Sequence, residues 1–360
     1  MSGGNMERIL RLMADKGASD CYLSANMPVL IRINGQTVQL SDQLLTPPQP
    51  RQLIAEVIDP ASLAELDNSG ELNMAVGVSG VGSFRLSGFR QRGSIAGVFR
   101  HIPHDIPTLE SLSLPPILGQ MIKEKRGLIL MVGATGTGKS TTLASMLELR
   151  NQTMTGHILT IEDPIEYLFS NKRSVVNQRE IGRDTASLQV ALKNALRQAP
   201  DCILIGEIRD RDTMTAAISY ALSGHLVLAT LHTNDAPSAV TRLTDMGVEP
   251  FLLSSSLLGV LAQRLVRRLC PACKRQDADG HWHPVGCEAC GHTGYKGRTG
   301  VYELMVADAA VRNLIHQQAA EAELTTAARA AGLRSMREDG ERLITAGVTS
   351  MEEVLRVTRD

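Results

Sequence analysis

The stretch GLILMVGATGTGKSTTLASMLELR, residues 127–150, constrains the fold more than any other part of the chain. An apolar run, a glycine-rich turn and a helix-forming run read as a buried strand that feeds a helix through a tight loop. Gly133 to Ser140 fits G-x-x-x-x-G-K-[ST]. Gly133, Gly136 and Gly138 let backbone N–H groups curl around phosphates, with Ala134, Thr135 and Thr137 between them. The helix N-terminus, with Thr141 in its first turn, adds partial positive charge. Lys139 is expected to reach the β- and γ-phosphates of a nucleotide, and the Ser140 hydroxyl to ligate Mg²⁺.

Three further apolar runs read as neighbouring strands. DCILIGEIRD ends at Glu207, whose carboxylate at a strand tip can face a γ-phosphate and align an attacking water; Arg209 follows two residues later. HILTIEDPIEY brings Glu162, Asp163 and Glu166, acids suited to Mg²⁺ and its water shell. SGHLVLATLHTND carries His225 before a strand and His232 after it, and at least one of the two is expected to sense the γ-phosphate.

The chain has 360 residues, enough for two domains and an appendage. Its 43% hydrophobic and 21% charged content is that of a folded globular protein. A net charge of −1 and 3% aromatic residues supply neither a basic field nor a stacking platform, so no nucleic-acid partner is expected. No apolar run reaches the roughly 18 residues that span a bilayer. The first residues lack a signal-peptide core, which makes the cytoplasm the expected compartment.

Before the glycine loop, Met6, Ile9, Leu10 and Met13 mark an amphipathic helix with Gly17 as its stop. Val29, Ile31 and Ile33 alternate up to Asn34-Gly35, a strong hairpin signal. A helix near 50–58 and strands near 72–78, 82–90 and 94–100 complete a small α+β domain over 1–102. Arg85, Arg90, Arg92 and Arg100 crowd its end, either as solvated strand faces or as phosphate contacts. Pro103, Pro107, Pro115 and Pro116 then disfavour regular structure, so 103–126 reads as a linker and possible hinge.

Four of the six cysteines, Cys270, Cys273, Cys287 and Cys290, form two Cys-x-x-Cys pairs with thirteen residues between them. In a reducing compartment this spacing fits a closed tetrahedral Zn²⁺ site. Four thiolates leave no position for water, so the metal would be structural, and its binding would fold a loop too polar to pack alone. Cys21 and Cys202 read as ordinary small apolar residues. The remainder is helical, and Ser350 with Glu353 makes a capping-box pattern.

Together these residues resemble the type II/type IV secretion ATPase superfamily, the hexameric motors of type IV pili and type II secretion. The resemblance rests on GATGTGKST, TIEDPIEY, RQAPDCILIGEIRD and GHLVLATLHTNDA in that order, and on GASDCYLS, RINGQ and GSFRLSGFRQRGSIAGVFRHIP before them. It implies an α/β chain. A PAS-like domain (1–102) would be linked through 103–126 to a RecA-like ATPase core (127–269). A zinc segment (270–300) and a C-terminal helical region (301–360) would follow. It implies ATP and Mg²⁺ as cofactors, Glu207 as general base and Glu162 as partner in Mg²⁺ and water positioning. Arg209 and His232 join Lys139 in the catalytic set, while Asp163, Glu166 and His225 fill the supporting boxes. Arg85 and Arg100 would approach the phosphates. The implied partners are five further copies of the chain and an inner-membrane platform protein, with the ring at the cytoplasmic face of that membrane.

Within the superfamily, FRQRG, NQREIG and ALKNALRQAPD are similar to the PilT/PilU retraction group that drives twitching motility. AVRNLIHQQ approximates the AIRNLIRE box of those motors, but His316 and Gln317 stand where Arg and Glu are usual. LAQRLVRRLCPACK and CEACGHTGYKGRTGVYELM resemble the GspE/PilB assembly and secretion group instead. Retraction is favoured, with an assembly or secretion motor as the alternative. A non-hydrolysing scaffold would not need the intact Lys139, Ser140 and Glu207.

Overall fold

The computed structural model describes residues 4–33, 36–102 and 105–358. It divides into two compact units: the chain up to Asp105 together with Glu166–Leu168, and Ile106–Ile165 together with Phe169 onward.

The first unit opens with α1 (Asn5–Asp15), which buries Met6, Leu10 and Met13 on one stripe and ends before Gly17 at φ +61°. Six antiparallel strands follow the order β3-β2-β1-β6-β5-β4. They are β1 (Asp20–Leu23), β2 (Leu30–Ile33), β3 (Gln36–Gln39), β4 (Glu71–Val78), β5 (Gly82–Gln91) and β6 (Ser94–Ile102). Ile33 lies opposite Gln36; Asn34 and Gly35, the expected turn residues, lie outside the described residues. Between β5 and β6, Arg92 and Gly93 both take positive φ, the type I′ geometry that suits a twisted hairpin. Phe84, Leu86 and Phe99 pack with Ile54 of α2 (Gln49–Ala55) and Leu66 of α3 (Pro60–Ser69). The sequence reading missed α3. Its signal was Asp59-Pro60: the Asp59 carboxylate accepts from the Ala61 and Ser62 N–H groups, and Pro60 suits the first helical turn.

The second unit is built on seven strands in the order β15-β12-β7-β11-β10-β8-β9. These are β7 (Gly127–Val132), β8 (Gly156–Glu162), β9 (Ser174–Glu180), β10 (Cys202–Ile205), β11 (Leu226–Leu231), β12 (Leu257–Leu269) and β15 (Tyr295–Val306). β12 through β9 run parallel, and β15 closes the edge antiparallel to β12. Every residue of β7, β10 and β11 is buried, because helices cover both faces. Alternate β7 residues feed separate cores: Leu128, Leu130 and Val132 on one side, Ile129 and Met131 on the other.

The helices of this unit are α4 (Leu118–Met121), α5 (Lys139–Thr153), α6 (Leu188–Ala195), α7 (Arg211–Leu222), α8 (Ala236–Asp245) and α9 (Pro250–Ser256). After β15 come α10 (Ala309–His316), α11 (Glu321–Ala330), α12 (Met336–Thr345) and α13 (Met351–Thr358). Cys202 and, in the first unit, Cys21 are fully buried, and burial pushes both thiols up to about 12.

Two boundaries differ from the sequence reading. The expected linker is not a free strap: from Ile106 on it belongs to the second unit, and Leu114, Leu118 and Ile122 are buried there. Arg150 donates to the Ile122 and Glu124 carbonyls at 2.6 and 3.0 Å, Tyr302 OH to Leu112 O at 2.8 Å, and Ser145 to Pro107 O. The prolines did not prevent packing, and the short α4 forms just after Pro115 and Pro116. The expected boundary at residue 300 falls inside β15, whose pairing with β12 continues the ladder straight through it.

The capping pattern at Ser350 is half realised. The Ser350 hydroxyl accepts from the Glu353 N–H at 3.4 Å, but the buried Glu353 carboxylate turns to Arg267 (2.6 Å) and Arg356 (2.9 Å). Burial disfavours this charge, yet Arg356 and Arg267 outweigh it and hold the pKa at about 2. Since that lies below the ordinary 4.5, the stabilisation is complete above about pH 4.5 and is lost as pH falls toward 2. Glu353→Gln should therefore destabilise the protein by about 2 kcal/mol at neutral pH. Urea unfolding of both forms should show the gap narrowing below pH 4; a pH-independent gap would mean the carboxylate charge contributes nothing.

Candidate nucleotide site and thiolate cluster

Parallel register brings four loops to one edge of the second unit. Val132 lies opposite Leu231 and Ala262, and Ile205 opposite Ala229 and Ile161. The segments at Gly133, His232, Glu207 and Glu162 thus all leave at the carboxyl ends of their strands, and Gln263, within the longer β12, lies level with the start of the glycine loop. In open parallel sheets this is where ligands bind.

The glycine loop follows β7. Gly136 (φ +80°) and Gly138 (φ +89°) adopt backbone that a side chain would strain, and Gly138 caps α5. Ala134, Thr135 and Gly136 are exposed, while Ser140 and Thr141 are half-buried in the first turn of α5. Lys139 lies across the loop and donates from Nζ to the Gly133 and Ala134 carbonyls at 2.6 and 2.9 Å. Thr137 Oγ1 donates to Ala134 O at 2.9 Å. The sequence reading missed Gln263 on β12. Its side chain, fully buried, donates to Thr137 O and accepts from Thr142 Oγ1, both at 2.8 Å, so a neighbouring strand fixes both ends of the loop turn. Its only signal was an amide inside an apolar run.

Glu207 is held from two sides. Arg209 donates to Oε2 from Nε at 2.8 Å and Nη2 at 2.6 Å, and His232 Nε2 stands 2.7 Å from Oε1. Desolvation works against the Glu207 charge, but Arg209 and then His232 outweigh it and hold the carboxyl below its ordinary range. The Asp163 charge also acts on Arg209. Thr230 Oγ1 donates to Gly206 O at 2.6 Å, tying the tip of β10 to β11. Glu162 accepts from Thr160 Oγ1 at 2.6 Å and Gln178 Nε2 at 3.2 Å.

One expected residue lies at the other edge of this sheet, and three belong to the first unit. His225 is at the opposite edge of the sheet, with Nδ1 3.1 Å from Tyr220 O and Ser223 Oγ; the length of β11, about 20 Å, separates it from His232. Arg85 and Arg100 lie opposite one another on β5 and β6 in the first unit, where Arg100 Nε donates to the buried Asp20 carboxylate at 3.0 Å. Glu166 is grouped with that unit too.

The four loop cysteines converge. Their Sγ atoms all lie within 4.8 Å of one another. Cys270–Cys287 is 3.9 Å, and Cys273–Cys290 and Cys287–Cys290 are 3.8 Å. A tetrahedron of sulfurs about 2.3 Å from a central ion has edges of about 3.8 Å, so the donor set fits a four-coordinate thiophilic metal. Backbone amides already point at the sulfurs: Cys287 and Gly294 N–H to Cys290 Sγ at 3.2 and 3.3 Å, and Gly286 N–H to Cys273 Sγ at 3.3 Å. Between the pairs, β13 (Arg275–Gln276) and β14 (Trp282–His283) form a short hairpin. Trp282 rests on Gly347, where a Cβ would come within 2.7 Å of the indole, and Lys274 spans the contact from above the ring to Gly347 O.

Similarity to known proteins agrees with this geometry. The chain is 56% identical over 257 residues to type II secretion system protein HxcR of Pseudomonas aeruginosa, covering 70% of this chain and 54% of that protein. It is 46% identical over 266 residues to the type IV pilus ATPase PilU of the same organism, covering 72% and 70%. The fold matches a crystal structure of the pilus retraction motor PilT with bound ADP at a TM-score of 0.85 and 36% identity, over 98% of this chain and 97% of that one. The chain spans about half the length of its secretion-system relatives, 54% in the case of HxcR. The family described as type II/IV secretion system protein matches residues 113–356, and this chain belongs to it.

Proposed function

We propose that the chain is an ATPase: one subunit of a homo-hexameric motor that turns ATP hydrolysis into mechanical work on a type IV pilus machine. The observation that carries this reading is the single sheet edge that holds Lys139 on its glycine loop and Glu207 braced by Arg209 and His232. In this reading the N-terminal unit is PAS-like and the second RecA-like. The ring would work at the cytoplasmic face of the inner membrane, against a platform protein.

The chemistry follows from the placement. Loop N–H groups, the α5 N-terminus and Lys139 would hold the phosphates and absorb charge as the γ-phosphoryl leaves. Glu207, kept ionised by its two neighbours, would orient the attacking water and accept its proton. Ser140 and Glu162 would hold Mg²⁺, which supplies charge neutralisation between the phosphates. Asp163 would support Arg209. Arg85 and Arg100 would serve as phosphate contacts. Cys270, Cys273, Cys287 and Cys290 would hold a structural Zn²⁺.

Retraction is favoured because the likeness to the PilT structure runs along nearly the whole chain. The second reading, an assembly or secretion motor, is supported by the 56% identity to HxcR and by the cysteine segment.

Glu207→Gln should bind ATP but turn it over at least about 100-fold more slowly, and filaments in the source cell should accumulate without shortening. Filaments that disappear would establish assembly; unchanged turnover would remove Glu207 as the base. Elemental analysis should find about one zinc per chain. Stripping it should shift the emission of Trp282, the chain's one tryptophan, to the red; folded, zinc-free protein with unmoved emission would refute the metal site.

A further inference from the structure

Along β12 successive side chains face opposite sides of the sheet. Gln263 and Leu265 reach the glycine loop at Gly138, and Arg264 between them points the other way. Its half-buried guanidinium donates from Nη1 to Gln263 O at 3.2 Å and from Nη2 to Asn234 O at 3.0 Å. Nη1 also sits where it would lie 3.0 Å from any Cβ placed on Gly133. The guanidinium therefore fills the space between the first residue of the glycine loop and the loop that leaves β11.

That loop carries His232. Two residues on is Asn234, and Asp235 then caps α8 by accepting from Ser238 N–H at 2.8 Å. Glu303 on β15 accepts from Ala236 N–H at 2.9 Å. Both carboxylates are thus engaged with backbone, and among the described residues Arg264 has no ion-pair partner within 4.0 Å. Asp235 and Glu303 favour the guanidinium charge from beyond contact, but burial outweighs them, so the site holds this cation at a cost. The forked donor is suited to grasping carbonyls of two chain segments at once.

We infer that Arg264 is a positioning residue for hydrolysis, clamping the His232–Asn234 loop to the glycine-loop edge so that His232 meets Glu207. This rests on the ATPase reading above. Loss of the clamp would leave the phosphate cradle intact, since Gln263 and α5 shape that independently. It would let His232 drift from a contact of 2.7 Å, and small misplacements at a reacting site are costly in rate.

The test uses the full chain and two variants, Arg264→Met, which keeps an unbranched stem, and Arg264→Lys, which keeps the charge. Hydrogen exchange of the peptide spanning 232–236 should quicken about tenfold in Arg264→Met and less in Arg264→Lys. The turnover number should fall about tenfold or more while KM for ATP stays within about twofold. Unchanged exchange in that peptide overturns the inference whatever the turnover. ATP affinity lost in proportion to turnover also overturns it, because Arg264 would then be a nucleotide ligand. If the unsubstituted protein does not hydrolyse ATP, the ATPase reading fails, while the exchange data still decide the clamp. If Arg264→Met does not fold, exchange in Arg264→Lys decides it alone.

Discussion

A common backbone register holds the candidate nucleotide edge together. Val132, Leu231 and Ala262 stand side by side across three strands, and Ile205 and Ile161 stand side by side two residues back, level with Ala229. Because helices bury both faces of the sheet, slipping one strand by a residue would turn a whole set of aliphatic side chains into the wrong core. The packing of Leu128, Leu130 and Val132 against one layer and Ile129 and Met131 against the other therefore fixes more than stability. It brings a glycine loop, a carboxylate, an imidazole and an arginine to one edge, where polar contacts from Gln263 and Arg264 then fix the loops.

What was legible in the sequence is what local chain chemistry dictates. The glycine loop announces itself because positive φ at Gly136 and Gly138 demands residues without a Cβ. The buried strands announce themselves because a sheet covered on both faces needs unbroken apolar runs. The run between the two histidines is a six-residue strand whose ends cannot share one site, and of the pair only His232 stands at Glu207. Gln263 and Arg264 were not legible as site residues, since what they touch lies far away in the chain.

The remaining differences have one physical origin, a competing partner that is distant in sequence. Ser350 and Glu353 form a sound local capping pattern, but Arg267 offers the carboxylate a stronger, charge-assisted bond and takes it. The proline-rich segment after residue 105 has the composition of a tether. Yet its leucines at 114 and 118 have a hydrophobic layer to enter, and Arg150 receives its carbonyls.

The six cysteines fall into two chemical populations. Cys21 and Cys202 are sealed in separate cores, with thiols pushed up to about 12, and so scarcely ionise at any pH the fold meets. The loop sulfurs lie together, three of them half-buried; desolvation pushes Cys273 up to about 11, whereas at Cys290 amide hydrogen bonds outweigh desolvation and hold the thiol at about 6. Electrophiles and oxidants that reach the folded chain will therefore find their targets within one short segment. The protein carries its redox vulnerability in the loop that Trp282 seats against Gly347 before α13, and not at the edge where the nucleotide would be turned over.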